Sequence, residues 1–425
     1  MKVVILNKSD ATGGAAVVSR RLMDALRAQG VDAHMLVCEK ITSSPFVVPA
    51  AKPGIIKRKF LLERIKIFLA NGLNRSTLFK IDTGSEGLPL WKHPLVKEAD
   101  AILVNWVNQG MLSLSGLRKL LALKKPVICT MHDMWDFTGI CHHAGICTHF
   151  MKECGDCPLL GKLKAPNDLS NKVWKKKNKI FGNSVLTSRL AFVPVSNWLK
   201  DKALQSSLIK DKRIEVIPNP FPLLPDSYVT FKSYPKSQPI RILFGAARLD
   251  DPIKGLHTLR LTSELIKKNY PELASRLEIA LFGNVKNSGA LEGFSLPLIH
   301  LGVLKGEQEV RKAYLDSRIL VSASSYETLP GTLVEAQAYG AIPVSFNRGG
   351  QSDIIDQLST GYIADYNPDI NIRARNLANG ILWACSIVDR PDKLYTMQKK
   401  MRENVENRFS YYSIAQKYIS LILSL

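Results

Sequence analysis

Two glutamates separated by seven residues lie between an apolar run and a predicted helix. Residues 322–336 contain Glu327, then a Pro-Gly-Thr turn, then Glu335. The first backbone N–H groups of a helix have no partner within it and carry partial positive charge, so they can bind phosphate. Here they belong to Gly331, Thr332 and Leu333. An ordinary helix start with an acid in its first turn has the same pattern.

Two cations follow the apolar run 240–244. Arg248 and Lys254 lie on a loop predicted at the carboxyl end of a strand, where anions are commonly bound. A cationic pair, a helix start and two carboxylates supply what a sugar nucleotide needs. The cations neutralise the diphosphate, and the carboxylates accept hydrogen bonds from the hydroxyls of ribose and sugar.

A third cluster combines four cysteines and three histidines within residues 141–157. Four thiolates could close a tetrahedral structural zinc site, with the histidines as substitute ligands. The candidate ligands are Cys141, Cys147, Cys154 and Cys157. Because the spacing lacks the symmetry of two knuckles, disulfides and free thiols in a loop are the alternatives.

The elements that position these residues repeat in two halves. The runs 3–6 and 240–244 are each followed by a glycine-containing loop and a helical pattern. Further short apolar runs alternate with helical patterns at 101–104, 127–129, 192–195, 279–282, 319–321 and 343–346. This alternation predicts an α/β fold with two doubly wound, Rossmann-like domains of parallel sheet. Two such domains facing across a cleft would bind ligand at the carboxyl ends of their strands.

Four prolines within residues 217–225 predict a linker at about 218–237. The predicted domains are therefore residues 1–222, which include the cysteine-rich insert 141–157, and residues 236–405. The first 235 residues hold 35 Lys and Arg against 18 Asp and Glu, whereas the remainder hold 23 against 19. The basic excess therefore belongs to the first domain.

Composition excludes several classes of protein. The chain has 425 residues, a formal net charge of +21 and 46% apolar residues, which suits a soluble globular protein of two or three domains. The first apolar run is too short for a signal peptide, and no run approaches the roughly 20 apolar residues that cross a bilayer. Seven cysteines, an odd number, do not suggest an extracellular disulfide framework. We expect a cytoplasmic protein.

The residues described above resemble those of a known family. Arg248 with Lys254, Glu327-x7-Glu335, and Gly349-Gly350 resemble the donor-binding domain of the retaining group 1 (family 4) glycosyltransferases of the GT-B fold. In the first half, residues 10–15 resemble the family's glycine loop and residues 130–135 its histidine segment. The segment 141–157 resembles a cysteine-rich insert that some members carry. The resemblance extends from about residue 3 to residue 412.

The resemblance implies a role for each matching residue. The backbones of Gly13 and Gly14 approach the donor diphosphate, which Arg248 and Lys254 neutralise. The helix start at residues 331–333 offers further N–H groups to phosphate. It also implies that the C-terminal helix, residues 406–425, crosses back to the N-terminal domain.

For the sugar, the resemblance implies contacts from both domains. Glu327 contacts the donor sugar, Glu335 takes the ribose hydroxyls, and His132 lies beside the sugar from the opposite domain. Transfer retains the anomeric configuration by front-side attack, without a catalytic metal or an enzyme nucleophile.

Two basic stretches in the first half indicate an anionic partner. Residues 51–80 hold eight basic side chains and one acid, with an amphipathic stripe at Leu61, Ile65, Phe68 and Leu69. Residues 162–179 add seven lysines. These stretches suit an anionic membrane surface or a lipid-diphosphate acceptor. A solvated helix that covers the core is the alternative, and nucleic acid is disfavoured because no recognition motif accompanies the charge.

Taken together, the motifs and the family resemblance imply a hexosyltransferase-type enzyme of cell-surface polysaccharide synthesis. It would move a sugar from a nucleotide-diphosphate sugar to a saccharide or lipid-linked saccharide, at the inner face of the cytoplasmic membrane. A sugar-nucleotide epimerase or hydrolase of the same fold is one alternative. A zinc-stabilised binding protein without enzymatic activity is the other.

Overall fold

The computed structural model describes residues 1–223 and 238–425. The chain forms two compact units, one of Met1–Pro220 with Tyr411–Leu425 and one of Phe221–Ser410. The linker predicted at about 218–237 lies outside the described residues from position 224 onward.

The first unit is built on a sheet of seven parallel strands. The strands are β1 (Lys2–Ser9), β2 (Asp32–Glu39), β3 (Val47–Pro49), β4 (Ala101–Val104), β5 (Val127–Met131), β6 (Leu190–Pro194) and β7 (Arg213–Ile214). Their order is β3-β2-β1-β4-β5-β6-β7, so the winding reverses between β1 and β4. Strands β4, β5 and β6 are buried along their whole length, as parallel strands covered by helices on both faces must be.

Helices connect these strands. They are α1 (Gly14–Ala28), α2 (Pro53–Ala70), α3 (Pro94–Glu98), α4 (Leu114–Leu121), α5 (Leu169–Phe181) and α6 (Asn197–Leu204). Side-chain caps fix where four of them begin, α3 to α6, because each cap satisfies N–H groups that the helix leaves open. Ser113 accepts from the N–H of Gly116 at the start of α4, and Asp168 accepts from Ser170 and Asn171 at the start of α5.

The described part of the second unit contains a sheet of six parallel strands. They are β8 (Ile240–Arg248), β9 (Leu277–Asn284), β10 (Leu298–His300), β11 (Ile319–Ser322), β12 (Ile342–Phe346) and β13 (Tyr362–Ala364). The order β10-β9-β8-β11-β12-β13 reverses between β8 and β11, as the first sheet does between β1 and β4. The prediction of two doubly wound parallel-sheet domains is therefore confirmed.

The helices of the second unit follow the same alternation. They are α7 (Leu256–Asn269), α8 (Pro271–Ala274), α9 (Gly306–Leu315), α10 (Gly331–Ala338), α11 (Ile370–Val388) and α12 (Pro391–Phe409). The core of this unit joins the inner faces of β8, β9, β11 and β12 to helices α7, α11 and α12.

The last helix, α13 (Tyr411–Leu423), belongs to the first unit. It begins at Tyr411 rather than at position 406, because residues 406–409 complete α12. Its apolar face packs into the same core as Val3 and Ile5 of β1. The buried hydroxyl of Tyr418 also forms a hydrogen bond with Oγ1 of Thr130, at 3.0 Å.

Across the described residues, none of the helices is both long enough and apolar enough to cross a membrane.

Candidate active site

Three loops of the second unit meet at one edge of its sheet. Residues 249–255 follow β8, residues 323–330 follow β11, and residues 347–350 follow β12. Because these three strands are neighbours and run in the same direction, their carboxyl ends lie side by side. The edge lies beside the reversal of strand order, which is where doubly wound sheets bind ligands.

An ion pair joins two of these loops. Nζ of Lys254 lies 2.6 Å from Oε1 of Glu327, although the residues are 73 positions apart in sequence. The side chains are 30% and 21% exposed, so a ligand can reach the pair and the pair is still partly shielded from water. A lysine and a glutamate so placed can bind a phosphate and a sugar hydroxyl that lie next to each other.

Two glycines allow the three loops to approach so closely. Gly255 has a φ of 78°, and a Cβ there would lie 2.1 Å from the carbonyl oxygen of Ala323. A Cβ at Gly349 would lie 1.6 Å from the carbonyl oxygen of Glu327. The N–H of Gly350 donates to that same oxygen at 3.1 Å, so the backbone of Glu327 is held from the β12 side.

Arg248, the last residue of β8, lies at the same edge. Its guanidinium is 3.4 Å from Oδ1 of Asp250 and 3.7 Å from Oδ2 of Asp251. These acids orient the arginine beside the loop that carries Lys254. Two cations are thus available for one anionic ligand.

Helix α10 begins at Gly331, with open space beside it, since a Cβ there would meet no atom within 4 Å. The prediction for residues 331–333 needs one correction. The N–H of Leu333 donates to the carbonyl of Pro330 at 3.1 Å, and its side chain is fully buried. Phosphate can therefore use the N–H groups of Gly331 and Thr332 but not that of Leu333.

Glu335, one turn into α10, is held by a residue that sequence reasoning missed. The hydroxyl of Tyr314 donates to Oε2 of Glu335 at 2.9 Å, and the tyrosine side chain is fully buried. Tyr314 lies on α9, and nothing in its sequence context distinguishes it from an ordinary core tyrosine. One carboxylate oxygen is thereby fixed in place.

In the first unit, the predicted site residues also follow strands of one parallel sheet. Gly13 and Gly14 follow β1, and His132 follows β5, with β4 between these strands in the sheet. A Cβ at either glycine would meet no atom within 4 Å, so a ligand can come close to this backbone. Asp10 anchors the loop by accepting hydrogen bonds from Ile41 and Thr42.

His132 is largely buried, and burial lowers its pKa to about 4 against the opposing charge of Asp133. The imidazole is therefore neutral at neutral pH. A neutral imidazole can exchange hydrogen bonds with sugar hydroxyls without adding a charge.

The cysteine-rich insert holds the segment that carries His132. Nδ1 of His142 lies 2.8 Å from Oδ2 of Asp133, and the indole N–H of Trp106 donates to the same oxygen at 3.0 Å. The backbone N–H of Met134 donates to the carbonyl of His142 at 2.9 Å. Sequence reasoning considered His142 only as a metal ligand, whereas the structure pairs it with Asp133.

The four cysteines of the insert converge on one small cavity of about 20 Å³. They are Cys141, Cys147, Cys154 and Cys157, and all four are free thiols. Burial raises the pKa of Cys141 and of Cys154 to about 12, so these thiols are protonated. In the ranges 1–223 and 238–425, no three His, Cys, Asp or Glu side chains are arranged to hold a metal ion. The structure therefore brings the four candidate ligands together. Zinc binding, disulfides and free thiols stay predictions for this cluster.

Comparison with known proteins places the chain in a family. The family model described as glycosyl transferases group 1 matches residues 232–404, and that described as glycosyltransferase family 4 matches residues 12–223. The chain is a family 4-type glycosyltransferase of the GT-B fold. The family assignment expected from the sequence motifs is confirmed. A search of curated proteins gives no match.

Solved structures share the fold of this glycosyltransferase at low sequence identity. HepE of Anabaena in complex with UDP and glucose is 14% identical, with full coverage of both chains and a TM-score of 0.57. A glycosyltransferase of Rickettsia africae is 16% identical over 100% of this chain and 98% of its own, with a TM-score of 0.60. WaaG, a glycosyltransferase involved in lipopolysaccharide biosynthesis, is 11% identical over 99% of both chains, with a TM-score of 0.59.

Asp133 and His142 form a largely buried pair, with side chains 13% and 12% exposed, which predicts a pH-dependent contribution to stability. Burial opposes the charge of each residue, but their mutual attraction outweighs it, so the pKa of His142 is raised above 6.5 and that of Asp133 is lowered to about 2. Because the pKa of His142 is raised in the folded protein, protonated His142 stabilises the fold fully below pH 6.5. This stabilisation is lost as pH rises through the pKa that His142 has in the folded protein. The lowered aspartate pKa stabilises the fold above pH 3.8 and loses this effect as pH falls towards 2.

We therefore expect His142→Gln to lower the free energy of unfolding by roughly 3 kcal/mol near pH 5.5, where both groups are charged. The loss should shrink steadily as pH rises above 6.5. Urea unfolding of both proteins between pH 5 and pH 9 measures the difference. A loss that stays constant over this range would mean that the pair does not depend on the histidine charge.

Proposed function

We propose that this glycosyltransferase retains the anomeric configuration of the donor sugar and needs no metal ion. In this proposal, it transfers the sugar from a nucleotide-diphosphate sugar to a saccharide or lipid-linked saccharide in cell-surface polysaccharide synthesis. The observation that carries the proposal is the pair of Lys254 and Glu327, at 2.6 Å, on adjoining loops next to the start of α10. UDP and glucose bound to HepE support a donor of this class, and the role of WaaG supports a polysaccharide product.

The donor diphosphate would bind among Arg248, Lys254 and the first N–H groups of α10. Its negative charge grows as the glycosidic bond to C1 of the sugar breaks. Fixed cations and N–H groups stabilise that charge without reorganising, which is the largest single contribution in many enzymes. Two side-chain cations then fill the role that a divalent ion has in other glycosyltransferases.

Glu327 would accept a hydrogen bond from a hydroxyl of the donor sugar and fix the orientation of its ring. Glu335, held by Tyr314, would accept from the ribose hydroxyls. The acceptor oxygen then attacks C1 from the face that the diphosphate leaves, and its proton passes to a phosphate oxygen of the leaving group. One C–O bond forms as another breaks on the same face, so configuration is retained without an enzyme nucleophile.

Replacing either member of the ion pair should slow transfer strongly. We expect Lys254→Ala and Glu327→Ala each to lower kcat/KM by about 100-fold, the loss typical of one preorganised electrostatic contact. The exposed Lys268→Ala is the matched control on the same unit and should transfer normally. Near-normal turnover in both folded site variants would remove the pair from the active site. Donor consumption without any acceptor would instead favour an epimerase or hydrolase.

The stereochemistry and the metal requirement can be tested together. We expect NMR of the product to show the same anomeric configuration as the donor, and we expect EDTA to leave the initial rate unchanged. An inverted product would contradict front-side attack. A rate restored only by added Mg²⁺ or Mn²⁺ would contradict charge stabilisation by Arg248 and Lys254 alone.

We further propose that the first unit binds an anionic membrane surface through α2. Three of the four residues of the predicted apolar stripe face outward: Leu61, Ile65 and Leu69 are 52%, 44% and 63% exposed. The fourth, Phe68, is half-buried. The side chains of Glu63 and Arg64 on the same helix are buried instead. If α2 covered the core with this stripe, Leu61, Ile65 and Leu69 would be buried and Glu63 and Arg64 exposed. Exposed apolar side chains flanked by cations are typical of helices that lie on membranes.

One of the seven lysines in residues 162–179 is not available to a membrane. Lys177 is fully buried, where its ammonium group lies 3.5 Å from the ring centre of Trp135 and donates to the carbonyls of Trp135 and Thr138. It cannot contact a membrane. Lys176 and Lys179 are exposed and can.

Removing the exposed stripe should weaken membrane binding. We expect the triple variant Leu61→Ser, Ile65→Ser, Leu69→Ser to lower co-sedimentation with anionic vesicles at least about tenfold, because each buried side chain contributes about 1.5 kcal/mol or more. Leu423→Ser, which changes another exposed leucine of the first unit, is the control. Binding by the parent protein should fall with added salt. Equal binding of the parent protein to neutral and anionic vesicles would contradict the proposal.

A further inference from the structure

The two basic stretches of the first unit meet at one groove. Lys66 of α2 lines it together with Lys176 and Lys179 of α5, although more than a hundred positions separate them in the chain. Arg118 of α4 adds a fourth cation. The groove has a volume of about 550 Å³, which is enough for a ligand much larger than a single ion. No member of the proposed donor site lines it.

The charge of this groove is not balanced by its own residues. Lys66 pairs with Glu86, but the side chains of Arg118, Lys176 and Lys179 form no hydrogen bond or ion pair within the part of the chain that the structure describes. No acidic side chain lines the groove. Three cations held near one another repel, so an anionic ligand that lies among them gains energy from all three. Arginine and lysine together are the side chains that bind phosphate.

The rest of the lining limits the kind of anion. Ser85, Ser115 and Asn183 provide hydroxyl and amide groups, which suit phosphate oxygens and attached hydroxyls. Three apolar side chains complete the wall: Leu114, Ile180 and Leu186. A small, fully hydrated anion would gain nothing from contact with these apolar side chains. It suits a phosphate that carries a hydrocarbon chain.

The groove also adjoins the segment that carries His132. Gly84 lines the groove, and a Cβ at that position would lie 3.3 Å from the ring of Trp135. The indole N–H of Trp135 donates to the carbonyl of Asp82 at 2.9 Å, which fixes this part of the floor. A ligand in the groove therefore lies close to the loop after β5.

We propose that this groove binds the phosphate head of a lipid-linked phosphate. Arg118, Lys176 and Lys179 hold the phosphate oxygens, and the first part of the hydrocarbon chain lies along the apolar wall. The inference deepens the proposed function and rests on it, because it gives a lipid-linked acceptor a place to bind on the first unit. The exposed stripe of α2 is a separate surface, since neither Leu61, Ile65 nor Leu69 lines the groove.

Isothermal titration of the full-length protein with octyl phosphate, below its critical micelle concentration, tests this assignment. We expect saturable binding at one site, weakened at least tenfold in the double variant Lys176→Gln, Lys179→Gln. Lys172→Gln is the matched control, because Lys172 is exposed on the same helix but does not line the groove. Octyl glucoside, which has the same chain without the phosphate, should not bind there.

Each arm has a result that would overturn the assignment. Equal affinity of the parent protein and the double variant for octyl phosphate would show that these lysines do not bind the ligand. If octyl glucoside bound as tightly as octyl phosphate, the phosphate group would not be what the groove recognises. Inorganic phosphate that binds as tightly as octyl phosphate would make free phosphate the ligand. Because this test reads binding at the first unit, its failure is distinct from failure of the proposed transfer, which is read from donor turnover and product configuration.

Discussion

Parallel strand pairing is the constraint on which the chemistry of this molecule depends. When all strands of a sheet run in one direction, every loop that follows a strand emerges at the same edge. Lys254 and Glu327 form an ion pair for this reason, although 73 positions separate them. An antiparallel sheet would have sent alternate loops to opposite edges. The strand order adds the second condition, because its reversal beside β8 separates the helices and leaves room for a ligand.

The charged groups of the two units differ in their exposure to water. At the edge of the second sheet, the ion pair is partly exposed, so water and ligand both reach it. Near His132, charges are buried: burial raises the pKa of Asp136 to about 7 and lowers that of Lys177 to about 8. Buried ions of this kind add little net stability, but removing one partner is costly. Asp136 and Lys177 therefore add little to the stability of the fold, and we infer that they hold the segment around His132 in position.

Much of the fold could be predicted because its signals are local. The apolar runs 101–104 and 319–321 became buried strands, and the Pro-Gly-Thr turn became the start of α10. The partners of the site residues could not be predicted in the same way. Tyr314 reaches Glu335 only because α9 and α10 pack together, and His142 reaches Asp133 only because the insert folds back on its own chain.

Periodicity also has a limit that α2 makes plain. Spacing at Leu61, Ile65 and Leu69 predicts that these residues share one face of a helix, but it does not say which way the face points. Here Glu63 and Arg64 face inward, because Asp82 and Thr83 provide buried partners for them. The cysteine spacing is similar: it predicts proximity of the four thiols, which the structure has, and does not determine what they bind.

The position of α13 has a consequence for biosynthesis. The first unit is completed by a helix that follows the whole second unit in sequence, since Ile414, Tyr418 and Ile422 fill a core whose other members include Val3 and Ile5. During translation, part of the apolar core of the first unit therefore stays exposed to solvent until the whole second unit and then α13 have been synthesised. A ribosome that stops before residue 411 releases a chain whose second unit is whole and whose first unit is open to solvent. Quality control by chaperones and proteases would recognise that exposed core as the mark of an unfinished protein.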